Sequence, residues 1–179
     1  TFTGGVYFSQ EFDLPISIVR PFNNFGPGMA LNDGRAMSDF ANNILNNEDV
    51  VLLSDGSTTR TFCYIADAVT GYFKVLLKGQ AGRSYNIGIE TPEVTVRELA
   101  NRVVAVGAET LGYSGRVVFG ESDDVDYNSD TPKRRCPSIL RARTELGYSP
   151  SIGLTEGIRR TLLWYWMDQR RRSQNARQP

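Results

Sequence analysis

The chain contains no histidine in 179 residues. That excludes His-based triads, HExxH zinc sites and imidazole acid–base chemistry. Any chemistry must therefore rest on Tyr, Lys, Arg, carboxylates or a cofactor. Only two cysteines are present, Cys63 and Cys136. They make neither a CxxC pair nor a disulfide framework, which points to a reducing cytoplasm. There is no Asn-x-Ser/Thr sequon, in keeping with a cytoplasmic protein. Charge of one sign is not in excess: the formal net charge is zero, so nothing draws the whole molecule to nucleic acid or an anionic membrane. No apolar run approaches the roughly 18 residues of a membrane span. The opening "TFTGGVYFSQ" has no basic segment followed by an apolar one, as a secretory signal would.

What is present is an ordinary globular composition, 40% hydrophobic and 22% charged, at the length of one domain. Short β-branched or aromatic runs bounded by turn residues predict strands at Ile16–Arg20, Val50–Ser54, Thr61–Ile65, Ser84–Gly88 and Arg116–Gly120. Helices are expected between and after them. Met37, Phe40, Ala41, Ile44 and Leu45 share one helical face. "DAVTGYFKVLLK" follows with Asp67 as its expected N-cap. Thr95 and Glu98 stand at capping-box spacing before the stripe Val96, Leu99, Val103. A fourth helix is expected between a Ser138 cap and a Gly147 stop. A fifth spans about Thr155 to Gln169, with Ile158, Leu162, Tyr165 and Trp166 inward. Alternating strand and helix gives an α/β class. The basic, polar end "RRRSQNARQP" reads as a solvated tail.

Several stretches could carry chemistry. In "RPFNNFGPG" an apolar strand opens into two asparagines and a Gly-Pro-Gly turn. Asn side chains and backbone N–H groups at a strand's C-terminal end suit the carbonyl and phosphate groups of a ligand; a turn capped by its own Asn is the structural alternative. In "NDGRAMSDF" Arg35 opens a helix, either as a bidentate anion clamp or as a surface arginine. "LLSDGSTTRTFCYIADAV" packs strand, Gly turn, Arg60, strand and helix into one unit, where Arg60 could meet a diphosphate. "DVDYNSD" at 124–130 imitates the start of a calcium loop, but Ser129 and Arg135 stand where glycine and glutamate are needed, so no metal site is expected. "TPKRRCPSI" sets Arg134 and Arg135 before a helix start, an arrangement that favours an anion or forms a solvated basic turn.

In order, "ISIVRPFNNFGPG", "NDGRAMSDF", "DGSTTRTFCYIADAVTGYFKVLL", "YNIGIETPEVTVRELA" and "KRRCPSILRARTELGYSPSIGLTEGIRRTLLWY" resemble the C-terminal half of extended short-chain dehydrogenases/reductases. These are the NAD-dependent epimerases, dehydratases and decarboxylases of nucleotide sugars. The resemblance runs from about Tyr7 to Trp166. "NDGR" after "FGP", with "TRTFCYI", looks most like UDP-glucuronate decarboxylases, ahead of dTDP-glucose 4,6-dehydratases and UDP-sugar 4-epimerases.

The resemblance implies the C-terminal part of an extended, doubly wound Rossmann-type fold, with late sheet elements and the small mixed α/β substrate lobe. It places these in residues 1–168, with 169–179 as a disordered basic tail. It implies that the Pro21 backbone borders the nicotinamide and that Asn23 bonds the diphosphate of a UDP- or dTDP-sugar. Arg35 would line the substrate cleft, Val51 and Leu53 would pack beside the base, and Arg60 would clamp the diphosphate. Arg135 would lie near the sugar carboxylate or phosphate, as an auxiliary to the chemistry. Ser138 stands where most relatives carry Asp. NAD is the implied cofactor, yet the chain has no GxGxxG or GxxGxxG, and none of Lys74, Lys78 and Lys133 stands four residues after a tyrosine. The expectation is a chain that supplies the sugar-nucleotide site, with the NAD-binding half and the catalytic Tyr-Lys pair absent from it. A missing N-terminal half or a second copy is then the expected protein partner. A non-catalytic nucleotide-sugar-binding protein is the alternative of another class.

Overall fold

A computed structural model of the chain describes residues 11–120 and 132–175. The calcium-loop-like stretch 124–130 lies outside the described residues. In chain order the elements are β1 (Ile18–Pro21), β2 (Asn24–Phe25), α1 (Ala36–Asn46), β3 (Val50–Leu52), β4 (Thr59–Arg60), β5 (Cys63–Tyr64) and α2 (Ile65–Lys78). They continue as β6 (Ser84–Ile87), β7 (Val94–Thr95), α3 (Val96–Leu111), β8 (Val117–Phe119), β9 (Arg134–Arg135), α4 (Leu140–Leu146) and α5 (Leu154–Asn175). The chain forms two compact units, each assembled from three stretches of sequence.

The first unit comprises the described part of Thr1–Asn24 together with Thr61–Glu93 and Cys136–Ile152. β1 and β6 run parallel, with Ile18 opposite Ser84 and Pro21 opposite Ile87. The strands alternate: Tyr85 and Ile87 are fully buried while Ser84 and Asn86 are half-exposed. α2 and α4 bury Ala68, Val75, Ala142 and Leu146 with them, joined by Cys63, Ile139 and Tyr148. Gly71 permits this packing, since a Cβ there would lie 2.6 Å from Ile87. On the opposite side α2 leaves Phe73, Leu76 and Leu77 exposed.

The second unit comprises Phe25–Arg60 and the described parts of Val94–Arg135 and Gly153–Pro179. β3 and β8 pair in parallel, with Val51 opposite Val118. β4 is the centre of a three-stranded sheet, antiparallel to β7 and parallel to β9. α1, α3 and α5 pack together over Phe40, Ile44, Leu99, Val103, Ile158 and Leu162. The capping box expected at the start of α3 is present: Thr95 Oγ1 accepts from the Glu98 N–H at 3.0 Å, and Glu98 Oε2 accepts from the Thr95 N–H at 2.8 Å.

Four expectations change. The predicted strand Thr61–Ile65 is broken. Asn23 takes up the backbone there, its Nδ2 donating to Thr61 O at 2.9 Å and its carbonyl accepting from Cys63 N at 3.1 Å. Asp67 is not an N-cap, because α2 starts two residues earlier, straight off β5, with Tyr64 as N-cap. Its carboxylate instead accepts the N–H groups of Ser151 (3.1 Å) and Ile152 (2.8 Å). Ser138 is displaced as the cap of α4 by Ile139, whose N–H donates to Glu90 Oε1 at 3.1 Å. The expected tail from residue 169 is helical as far as Asn175. Asp168 pairs there with Arg171 (3.1 Å) and Arg172 (2.7 Å), and Arg170 stacks 3.8 Å over the Trp166 ring, contacts that favour continued helix.

Candidate functional site

The second unit contains a cationic pair that the fold itself builds. β4 runs beside β9, and the register sets Arg60 opposite Arg135. Like charges directly across a ladder repel at a strand spacing of about 4.8 Å. Arg60 is also buried, with 7% of its surface exposed. Burial first, and then the Arg135 charge, lower its pKa from the ordinary arginine value. Its Nη1 donates to Thr59 O at 2.7 Å. Among the described residues neither Arg60 nor Arg135 is paired with a carboxylate. A desolvated guanidinium next to a second cation has an electrostatic cost that an anion would relieve.

The neighbouring β3–β8 pair supplies an apolar face. Val50 and Leu52 point into the core, so Val51 and Leu53, one residue out of step, are half-exposed. Gly120 lies against them, its N–H donating to Leu52 O at 2.9 Å. A Cβ on Gly120 would come within 2.6 Å of Val51 Cγ1, so only glycine lets the strand end approach that closely. Sequence reading missed Gly120. A glycine that closes a β-branched strand was the available signal.

The loop from Ser54 to Thr58 joins β3 to β4. It is folded onto the start of α3: Val96 N donates to Thr58 O at 3.0 Å and Arg97 N to Gly56 O at 3.1 Å. Arg97 Nη2 adds a 2.8 Å bond to Asp55 O, and its guanidinium stands 5.0 Å from the centre of the Phe119 ring. Arg97 was also missed. A cation in the first turn of a capped helix is the signal, because it sits at the wrong end of the helix dipole.

Arg35 belongs to this unit as an exposed residue already engaged. Its guanidinium chelates Asp33, with Nε 2.8 Å from Oδ2 and Nη2 on the same oxygen. The pairing lowers the pKa of Asp33 and raises that of Arg35. An anion at Arg35 would have to displace Asp33.

Asn23 and Pro21 lie in the first unit. Asn23 adopts φ 43°, a left-handed conformation that Asn tolerates. Its amide N–H is used structurally, on Thr61 O. Pro21 ends β1 in an exposed position, and the next N–H, of Phe22, donates to Ile87 O at 2.9 Å. Deeper in the same unit, Cys63 Sγ and Tyr148 Oη lie 3.5 Å apart, and Tyr148 Oη donates to Gly88 O at 3.0 Å. Burial pushes the Cys63 thiol up to about 11 and the Tyr148 phenol higher still, so both stay protonated near neutrality.

Among the described residues there is no dinucleotide cradle. Such a site needs a helix N-terminus with free N–H groups behind a glycine-rich turn. The first N–H groups of α3 are taken by the chain's own acceptors, Thr58 and Gly56, and the N–H groups just ahead of α1 and α4 by Asp39 (from Gly34, 3.2 Å) and Glu90 (from Ile139). α2 follows β5 with no glycine between them. No group of three His, Cys, Asp or Glu able to hold a metal occurs among the described residues. Nor is any described helix long and apolar enough to cross a membrane.

A family model for the NAD dependent epimerase/dehydratase family matches residues 5–88. UDP-glucuronic acid decarboxylase 5 of Arabidopsis thaliana is 33% identical over 151 residues, covering 84% of this chain and 41% of that protein. UDP-glucuronic acid decarboxylase 1 of Xenopus tropicalis is 30% identical over 159 residues, covering 89% and 35%. The chain thus spans less than half the length of these relatives. Among solved structures, an epimerase of Methanothermobacter thermautotrophicus superposes with a TM-score of 0.82 at 27% identity, over 94% of this chain and 48% of its own. A dTDP-glucose 4,6-dehydratase of Streptomyces venezuelae, solved with NAD and TYD bound, gives 0.76 at 26% identity, over 94% and 49%. The Rossmann-type epimerase/dehydratase fold expected from the sequence is the one that these neighbours share.

Proposed function

The chain belongs to the NAD dependent epimerase/dehydratase family, and from that premise we propose that it holds the sugar nucleotide of an NAD-dependent nucleotide-sugar enzyme, with UDP-glucuronate decarboxylation as the reaction. The observation that carries this reading is the buried Arg60 beside Arg135, with no carboxylate partner among the described residues. A diphosphate would supply a counter-charge, and two guanidinium forks can each take two of its oxygens. The apolar face of Val51, Leu53 and Gly120 would receive the flat pyrimidine. Arg135, the more exposed of the two arginines and without a carboxylate partner among the described residues, would take a second anionic group such as the sugar carboxylate. The decarboxylase reading over other members of the family draws on the identity to UDP-glucuronic acid decarboxylases from plant and animal.

The described residues include no dinucleotide cradle, so no hydride or proton transfer is assigned to them. Their role is to bind, orient and neutralise. Arg60 fixes the diphosphate, and Arg135 lowers the cost of negative charge that develops on the sugar.

Calorimetric titration of the chain with UDP-glucuronate, dTDP-glucose and NAD tests the proposal. Saturable binding of UDP-glucuronate, weaker binding of dTDP-glucose and none of NAD is the expected pattern. Tight NAD binding, or equal indifference to all three, would refute it.

A further inference from the structure

Arg97 is the second residue of α3, where the helix dipole disfavours a cation. It nonetheless makes three contacts with the site's framework. Its N–H holds Gly56 O at 3.1 Å, its Nη2 holds Asp55 O at 2.8 Å, and its guanidinium lies 5.0 Å from the centre of the Phe119 ring. The first two contacts fix the loop that leads into β4 and Arg60. The third fixes the end of β8, next to Gly120 and the Val51–Leu53 face. The loop is shaped for this contact. Gly56 takes φ 70°, and a Cβ there would lie 2.9 Å from Arg97 Cβ. The Asp55 carboxylate is used inside the loop, accepting from Ser57 N (2.9 Å) and Ser57 Oγ (2.8 Å), so its backbone carbonyl is what remains for Arg97. Phe119 is 63% exposed, so burial alone does not hold its ring in place.

We propose that Arg97 is a positioning residue. It holds the β3–β4 loop and the end of β8 in one frame, so that the apolar face and the arginine pair engage the base and the diphosphate of a single ligand together. This rests on the sugar-nucleotide reading of the site. A ligand that spans both subsites gains from their fixed spacing; one that touches a single subsite does not. Arg97 itself contacts neither part.

The test compares the full chain with its Arg97→Ala, Arg97→Lys and Phe119→Leu variants, titrated with UDP and with inorganic pyrophosphate. Hydrogen exchange is followed over residues 54–60. The expected result for Arg97→Ala is a roughly tenfold loss of UDP affinity, from one hydrogen bond and one cation–π contact. Pyrophosphate affinity stays unchanged, and exchange at Gly56 and Ser57 is faster. Arg97→Lys keeps a donor but loses the planar stack, so it falls between. Phe119→Leu shows the same preference for hurting UDP over pyrophosphate. Equal losses for UDP and pyrophosphate that follow the melting temperature would overturn the inference, leaving Arg97 a structural residue only. Unchanged UDP affinity and exchange would overturn it too. A wild-type chain that binds neither ligand removes the sugar-nucleotide reading, and this role of Arg97 with it, which is distinct from a wild type that binds both and a variant that does not discriminate.

Discussion

Arg60 and Arg135 face each other on adjacent parallel strands, one buried and one exposed, with no carboxylate between them among the described residues. A fold selected for stability alone would pair, expose or replace the buried one. Arg60→Met keeps length and packing while removing the charge. The expected effect on the ligand-free chain is neutral to stabilising, by up to about 1–2 kcal/mol, because the desolvation and like-charge costs disappear. Urea unfolding measures it. A loss of several kcal/mol would mean that Arg60 has a stabilising partner.

The buried thiol of Cys63 gives the first unit a pH dependence with a definite sign. Burial is the main cause that raises its pKa, from 9.0 to about 11. The folded state therefore keeps its proton after the unfolded chain has lost it, and stability falls as pH rises. The contribution is complete below about pH 9 and is lost progressively between 9 and 11. It amounts to roughly 2–3 kcal/mol. Tyr148, raised by burial as well, extends the decline to higher pH. Chemical unfolding between pH 8 and 11 should show a shallower slope for Cys63→Ala than for wild type.

Asp67 is buried at 8% exposure and holds the turn of Ser151 and Ile152 through two backbone N–H groups. Asp67→Ala leaves both donors without their acceptor, at a cost of about 2–4 kcal/mol. Asp67→Asn, which keeps one acceptor oxygen, should recover part of this. Thermal unfolding of the two variants separates this role from helix capping, whose loss costs only about 1 kcal/mol.

The helix start at Thr95 and Glu98 was legible in the sequence because a capping box is complete within four residues. The stops at Gly147 and the Asn32-Asp33-Gly34 turn were legible for the same reason: the chemistry is local. Arg60 and Arg135 could each be singled out as cations near a turn. Their opposition could not, since it depends on the β4–β9 register, which joins distant parts of the chain. Asp67 misled because a helix-favouring aspartate looks alike whether it caps its own helix or reaches residues 151–152. Ser138 misled likewise: the acceptor that displaced it, Glu90, is remote in sequence. Arg35 was visible as a cation, and its commitment to Asp33 two residues earlier could have been read from the spacing.

Leu76 and Leu77 are 75% and 77% exposed at the end of α2, with Phe73 one turn before them. An apolar patch of this kind favours association. Leu76→Lys with Leu77→Lys should leave the melting temperature within about 1 °C and reduce concentration-dependent self-association. Sedimentation velocity over a concentration series reads this directly. A large loss of stability would mean that the two side chains are packed in solution.

Phosphorus NMR of UDP titrated with the wild-type chain and with Arg60→Met reads whether Arg60 and Arg135 hold a diphosphate. Both UDP phosphorus signals should shift or broaden with wild type. Arg60→Met should weaken the effect by about a hundredfold in affinity, as expected when a buried charge partner is removed. Equal perturbation by the two proteins, or none by wild type, would mean that the arginine pair does not hold the diphosphate.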